Sequence, residues 1–235
     1  MKERTEMNID EIRNTIIQGD CLEVLKQLPD KCVDLVLTDI PYGEVNRDCN
    51  GLRELDKADA DVVLFDLSEL TEELERVCRG SVYVFCGTEQ VSILRHNFVE
   101  YGLSTRLIIW EKTNPSPMNG QYIWLSGIEC CVFARNKNAT FNGHCRNTVL
   151  RYPCGSSILH PTEKPLAMFE DIIKTSSKEG DLVLDPFLGS GTTAVACYRT
   201  RRDFIGIEIS PEYCETARKR LQAEKDKLAL FPEAQ

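Results

Sequence analysis

Apolar and polar residues along this chain repeat with two different periods, and the changes of period mark out strands and helices. Thr15-Ile16-Ile17-Gln18 predicts a short strand stopping at Gly19-Asp20, and residues 21–27 a brief helix ended by Pro29-Asp30. Residues 33–38 form a nearly unbroken apolar run, the pattern of a strand covered on both faces. Leu67, Leu70, Leu74 and Val77 recur at helical spacing, which predicts a helix over 67–78 closed by Arg79-Gly80. Another buried strand is predicted over 81–86 and a helix over 88–101, ending at Gly102. Residues 105–111 and 127–134 read as two strands joined by a loop containing Pro115 and Pro117. Downstream, the pattern predicts a helix over 165–177 and a strand over 182–185. A helix over 192–199, a strand over 204–208 and a helix over 211–228 complete it.

Alternation of this kind implies an α/β fold, a parallel sheet with helices on both faces. Such sheets bind ligands beyond the carboxyl ends of their strands, where the strand order reverses. Two loops fall at strand ends and carry distinctive chemistry. Thr38-Asp39-Ile40-Pro41-Tyr42-Gly43 joins a carboxylate, a proline-stiffened backbone and an aromatic ring, a combination suited to holding a planar base by its amine. Leu184-Asp185-Pro186-Phe187-Leu188-Gly189-Ser190-Gly191-Thr192-Thr193 reads as strand, glycine-rich turn and helix start, the cradle of a nucleotide-like cofactor.

The chain's 235 residues, 42% hydrophobic and 28% charged, fit one ordinary soluble domain spanning 1–235. No run of about 18 apolar residues occurs, so a membrane-spanning helix is excluded. The first ten residues lack the apolar stretch of a signal peptide, and a cytoplasmic location is the expectation. Eleven scattered cysteines include no C-x-x-C pair and read as reduced, mostly buried thiols. His144, Cys145 and Cys154 form the one cluster to weigh as a metal site; zinc favours tighter paired spacing, and no metal is expected. A net charge of −9 argues against nonspecific coating of nucleic acid but leaves room for a local basic face.

Gly189-Ser190-Gly191-Thr192-Thr193-Ala194 also satisfies G-x-G-x-x-A, with Glu208 ending the next strand, which alone fits a dinucleotide fold. The layout decides against a nicotinamide enzyme. Only one strand and one helix remain after this loop, so the rest of the sheet must come from upstream, as in a permuted domain. Gly19-Asp20 supplies a further acidic strand end there.

These residues resemble the β (permuted) class of amino-group DNA methyltransferases. Asp39-Ile40-Pro41-Tyr42 is similar to their D-P-P-Y motif, and His160-Pro161-Thr162-Glu163-Lys164-Pro165 to H-P-T-x-K-P. Residues 185–193 are similar to D-P-F-x-G-S-G-T-T. The resemblance runs from about Ile16 to Leu221. It implies a Rossmann-like class I fold, a mostly parallel seven-stranded sheet with helices on both faces, circularly permuted. One residue departs from the pattern: Ile40 replaces the first proline, which keeps the peptide carbonyl but gives up proline's fixed φ.

The resemblance implies S-adenosyl-L-methionine as cofactor. Glu208 would accept from the ribose hydroxyls, Asp20 from the adenine amine and Asp185 from the methionine amino group. Gly189 and Gly191 would let backbone approach the methionine portion, and the helix starting at Thr192 would face its carboxylate. Cys21, His160, Thr162, Lys164, Phe187, Ser190 and Thr193 complete the implied pocket. The competing reading of Asp20 is a plain cap of the helix that follows it. Asp39 and the Ile40 carbonyl would accept the hydrogens of a base's exocyclic amine, with Pro41 shaping the turn. Tyr42 would stack on the flipped base. Aspartate at the head of the motif favours N6 of adenine over N4 of cytosine.

Two segments are candidate target-recognition loops, 43–61 with Arg47 and Arg53, and 136–159 with Lys137, Arg146 and Arg151. Arg135 immediately precedes the second. Double-stranded DNA is the expected partner. So short a recognition region implies a short site or help from a second subunit, as in a homodimer, and a cognate restriction enzyme is the other partner the resemblance allows. A catalytically silent DNA-binding subunit that keeps the fold is the competing reading, motivated by Ile40 and the acidic charge.

Overall fold

The computed structural model describes residues 6–42, 65–115, 124–155 and 164–230. Helix α1 (Ile9–Ile12) leads into strand β1 (Thr15–Gln18), then α2 (Cys21–Leu25) and β2 (Val33–Asp39). Next come α3 (Leu67–Val77), β3 (Cys78–Cys86), α4 (Val91–Glu100) and the strands β4 (Ser104–Lys112) and β5 (Ile128–Arg135). A short strand β6 (Val149–Tyr152) precedes α5 (Leu166–Ser176) and β7 (Leu182–Asp185). The chain closes with α6 (Thr192–Thr200), β8 (Asp203–Glu208) and α7 (Pro211–Leu230).

Among the described residues the strands form one eight-stranded sheet in the order β1-β8-β7-β2-β3-β5-β4-β6. Every neighbouring pair is parallel except those made by β5, which runs against both β3 and β4. The mostly parallel sheet is as expected, with one strand more than the seven implied. That strand, β6, lies inside the segment read as a recognition loop, and it pairs parallel to β4 with Glu111 opposite Arg151. Four residues, three of them half-buried and one exposed, carry too little periodicity to announce a strand.

Two apolar layers cover the sheet. One contains Leu22 and Leu25 of α2, Leu70 and Leu74 of α3, and Leu94 and Phe98 of α4. The other contains Met168 and Ile172 of α5, Cys197 of α6, and Ala217 and Leu221 of α7. Helices therefore flank both faces, as the alternating pattern requires.

Arg79-Gly80, expected to stop α3, lies instead inside β3, which follows α3 without a loop. A Cβ on Gly80 would stand 1.8 Å from the Asp34 carbonyl oxygen, so the glycine serves close approach of β2 and β3 where their register shifts.

From β2 the chain moves outward to β3, and from β7 outward the other way to β8. The order therefore reverses between β2 and β7, whose carboxyl ends carry Asp39 and Asp185. That crevice is where an open α/β sheet binds its ligand. β1, first in the chain, sits at the sheet's edge beside β8, the last strand, which is the permuted arrangement.

Candidate active site

Seven of the eight strands run the same way and deliver their carboxyl ends to one edge. Glu208 ends β8, Asp185 ends β7, Asp39 ends β2, and Gly19-Asp20 follows β1. β5 contributes its beginning instead of its end, because it runs antiparallel; Glu129, its second residue, therefore reaches the same edge opposite Trp110.

At the β7 end, Asp185 is buried and accepts three hydrogen bonds. Thr38 Oγ1 donates at 2.8 Å and Phe187 N at 3.1 Å to Oδ1, and Thr193 Oγ1 donates at 2.5 Å to Oδ2. Burial raises its pKa to about 6, with these donors pulling the other way. Asp185 thus ties β2, the turn and the start of α6 into one unit. Phe187 is half-buried against the ring of Phe65.

Glu208 is 6% exposed, and its oxygens accept from Gly189 N and Ser210 N, each at 2.8 Å. Gly189 has φ +54° with open space where a Cβ would point. Gly191 has φ +89°, and its Cβ would lie 2.9 Å from the Ala217 Cβ. The need for glycine at 191 therefore comes from the left-handed backbone and the closeness of α7, which differs from the ligand clearance expected there. Ser190 and Thr192 offer their hydroxyls to Arg220 of α7, at 3.2 and 3.1 Å. Gly191 is also the N-cap of α6 and brings no side-chain cap to that helix.

Asp20 is the N-cap of α2, accepting from Glu23 N at 3.1 Å, and it stays exposed beside the end of β8. The capping role is thus real, and the residue carrying it stays exposed. Cys21 is buried, with its thiol pushed up to about 12 by burial and then by Asp20, so it remains protonated.

The β2 end holds the densest charge. Asp39 Oδ2 pairs with Lys164 Nζ at 2.5 Å, and Asp39 Oδ1 accepts from the Tyr42 hydroxyl at 2.8 Å. Lys164 also reaches Glu129 Oε2 at 2.9 Å, and Lys112 pairs with Glu129 Oε1 at 2.8 Å. Burial lifts the Asp39 pKa against the pull of Lys164. Burial would lift Glu129 as well, but the two lysines outweigh it and hold that carboxyl below its ordinary value. Lys164, 5% exposed, is kept charged by the two carboxylates despite its burial. Its ammonium stands over the Tyr42 ring, 5.4 Å from the centroid. Expected to border the cofactor, Lys164 stands against the Asp39 carboxylate at the end of β2.

Ile40 meets the missing proline with two other restraints. Its side chain is 1% exposed in the core, and its N–H donates to the Phe85 carbonyl at 3.1 Å, a bond proline could not make. Gln90 Nε2 donates to the Pro41 carbonyl at 3.0 Å and holds the next residue. Local stiffness is thus recovered through packing and hydrogen bonding.

The basic candidates separate. Arg135 and Lys137 follow β5 to the opposite edge of the sheet, where Ser81 near the start of β3 pairs with Arg135. Arg146 pairs with Asp171 on α5. Arg151 lies near the carboxyl edge, highly exposed and paired with Glu111 at 3.0 Å. Arg47, Arg53, His160 and Thr162 lie outside the described residues. Sequence reasoning missed Glu129 and Lys112. Their signal is faint: polar residues at the inner ends of two paired strands, of which one runs backwards.

Comparison with known proteins adds an independent line. A family model described as DNA methylase matches residues 33–219. The Type II methyltransferase M.HinfI of Haemophilus influenzae is 31% identical, with 92% of this chain aligned to 70% of its length. M2.DpnII of Streptococcus pneumoniae, also a Type II methyltransferase, is 28% identical over 90% of both chains. The crystal structure of the M1.HpyAVI–SAM complex is 32% identical with a TM-score of 0.70, covering 88% of this chain and 98% of that one. The cytosine-N4-specific PvuII DNA methyltransferase shares the fold at 19% identity and a TM-score of 0.66. The matched span runs from β2 into α7 and takes in the strand-end carboxylates Asp39, Asp185 and Glu208 and the glycine turn, and the chain belongs to the N6/N4 DNA methylase family.

Proposed function

We propose that this chain transfers a methyl group from S-adenosylmethionine to the exocyclic amine of a flipped base in DNA, N6 of adenine. The observation that carries the reading is the placement of Asp39 and Asp185 on either side of the sheet's reversal point, with Glu208 on the next strand. The aspartate at the head of the Asp39–Tyr42 motif supports adenine.

The residues present fit the cofactor. Three carboxylates, Asp20, Asp185 and Glu208, line adjoining strand ends, matched to the amine, ammonium and hydroxyl hydrogens of a nucleoside joined to an amino acid. Gly189 leaves open space above the turn. When bound, S-adenosylmethionine supplies a methyl group on a positively charged sulfur.

The amine of adenine is a poor nucleophile because its lone pair is spread into the ring. Asp39 and the Ile40 carbonyl accept its hydrogens and favour a pyramidal nitrogen, an effect strongest in the transition state. The base must leave the helical stack to reach them, and the face of Tyr42 receives it.

Labelled S-adenosylmethionine incubated with mixed-sequence duplex DNA, followed by mass spectrometry of the nucleosides, tests the assignment. N6-methyladenine is expected. N4-methylcytosine would move the substrate to cytosine, and cofactor binding without incorporation would favour the silent DNA-binding subunit.

Cofactor affinity should depend on pH through Asp185. Its pKa of about 6 leaves it neutral below that value and ionised above. The carboxylate form attracts an ammonium group, so affinity should rise from pH 5 to pH 8, and Asp185→Asn should flatten the profile. Calorimetry giving equal affinity at both pH values for the native protein would reduce Asp185 to a turn-bracing residue.

Tyr42→Phe keeps the ring and should retain much of the rate. Tyr42→Ala should lose about one to two orders of magnitude, matching about 1–3 kcal/mol of stacking. The loss should shrink on DNA mismatched at the target base, where extrusion costs less. Equal rates for the two variants would remove the stacking role.

A further inference from the structure

The Tyr42 hydroxyl lies between two carboxylates, 2.8 Å from Asp39 Oδ1 and 3.1 Å from Glu129 Oε2. A phenol carries one hydrogen, so it can donate fully to one of them at a time. Asp39 is otherwise engaged on Oδ2 by Lys164, at 2.5 Å. Each of its oxygens therefore already accepts a hydrogen bond, while the reaction proposed above needs Asp39 to accept from the incoming amine. Glu129 is a partly buried acceptor of a different kind. Lys112 holds Oε1 and Lys164 holds Oε2, which fixes its position and favours its ionised form.

We propose that Glu129 is a positioning residue that takes over the Tyr42 hydroxyl hydrogen when the target amine docks on Asp39 Oδ1. The exchange is a rotation about the Tyr42 C–O bond. No proton leaves oxygen, no covalent bond breaks, and the ring need not move, because both acceptors already stand within hydrogen-bond distance. Lys164 bridges the two carboxylates throughout and keeps Glu129 in reach. Without Glu129 the hydroxyl's described acceptor is Asp39 alone, and it competes with the substrate amine for that oxygen.

This inference rests on the methyl-transfer reading, and its test separates the two. A double-mutant cycle combines Glu129→Gln with Tyr42→Phe and reads single-turnover methylation of duplex DNA. Glu129→Gln should slow the native enzyme roughly 10- to 50-fold, the scale of a hydrogen bond involving a charged group, with cofactor affinity within about twofold. In the Tyr42→Phe background the same change should cost no more than about threefold, since no hydroxyl remains to be moved. Equal losses in both backgrounds would overturn the inference and leave Glu129 as a structural partner of the lysines. If Glu129→Gln does not fold, Glu129→Asp enters the same cycle, keeping the charge but shortening its reach, and the same criterion applies. Failure of the native enzyme to methylate DNA would instead sink the proposed function.

Discussion

Asp39→Asn should remove nearly all methyl transfer while leaving S-adenosylmethionine affinity within about twofold of native. Its cost should reach about 100- to 1,000-fold in rate, the scale of removing a preorganised group aimed at developing charge. The amide is the same size, so the loss would trace to charge and to an added donor facing the amine. Asp39→Ala should be at least as inactive. The fold should survive either change, because Lys164 keeps Glu129 as a partner at 2.9 Å and no buried cation is stranded. Cofactor affinity should hold because Asp185 and Glu208 belong to other strands. Retention of more than a few per cent of activity in Asp39→Ala would remove the assigned role.

Glu208→Ala should act in the opposite way. Calorimetry should show S-adenosylmethionine binding weakened by about 2–4 kcal/mol, roughly 30- to 1,000-fold, as expected for charge-assisted hydrogen bonds lost from a buried site. The substitution also withdraws an acceptor from Gly189 N and another from Ser210 N, so a lower melting temperature should accompany it. Glu208→Gln separates these contributions, since the amide oxygen can still accept from one backbone N–H while the negative charge is gone. Native affinity in Glu208→Gln with reduced stability in Glu208→Ala would make Glu208 a brace of the turn with no hold on the cofactor.

All the strands and helices but α1 and β6 were legible in the chain, because burial on a strand or helix face leaves a period that needs no partner to be recognised. The run 33–38 and the spacing of Leu67, Leu70, Leu74 and Val77 are local records of that kind. Asp39, Asp185 and Glu208 were legible for a related reason: each breaks an apolar strand at its end, where a parallel sheet opens to ligand. The resemblance of the motifs pointed to the same edge.

Everything that depends on which strand lies beside which was hidden. Lys164 and Asp39 are separated by 125 positions, and nothing local in the Lys164-Pro165 stretch says that its ammonium turns toward β2. Glu129 reaches the site because β5 runs antiparallel, and the same reversal carries Arg135 to the far edge. Strand β6 exists because β4 offers it a pairing edge, and Gly191 is required because α7 passes close by. The periodicity of a chain encodes which face of each element is covered, whereas the order and direction of the strands choose the groups that meet. Charge pairs such as those of Lys164 are settled by that second step, since an ion pair is defined by distance and leaves no period in the sequence.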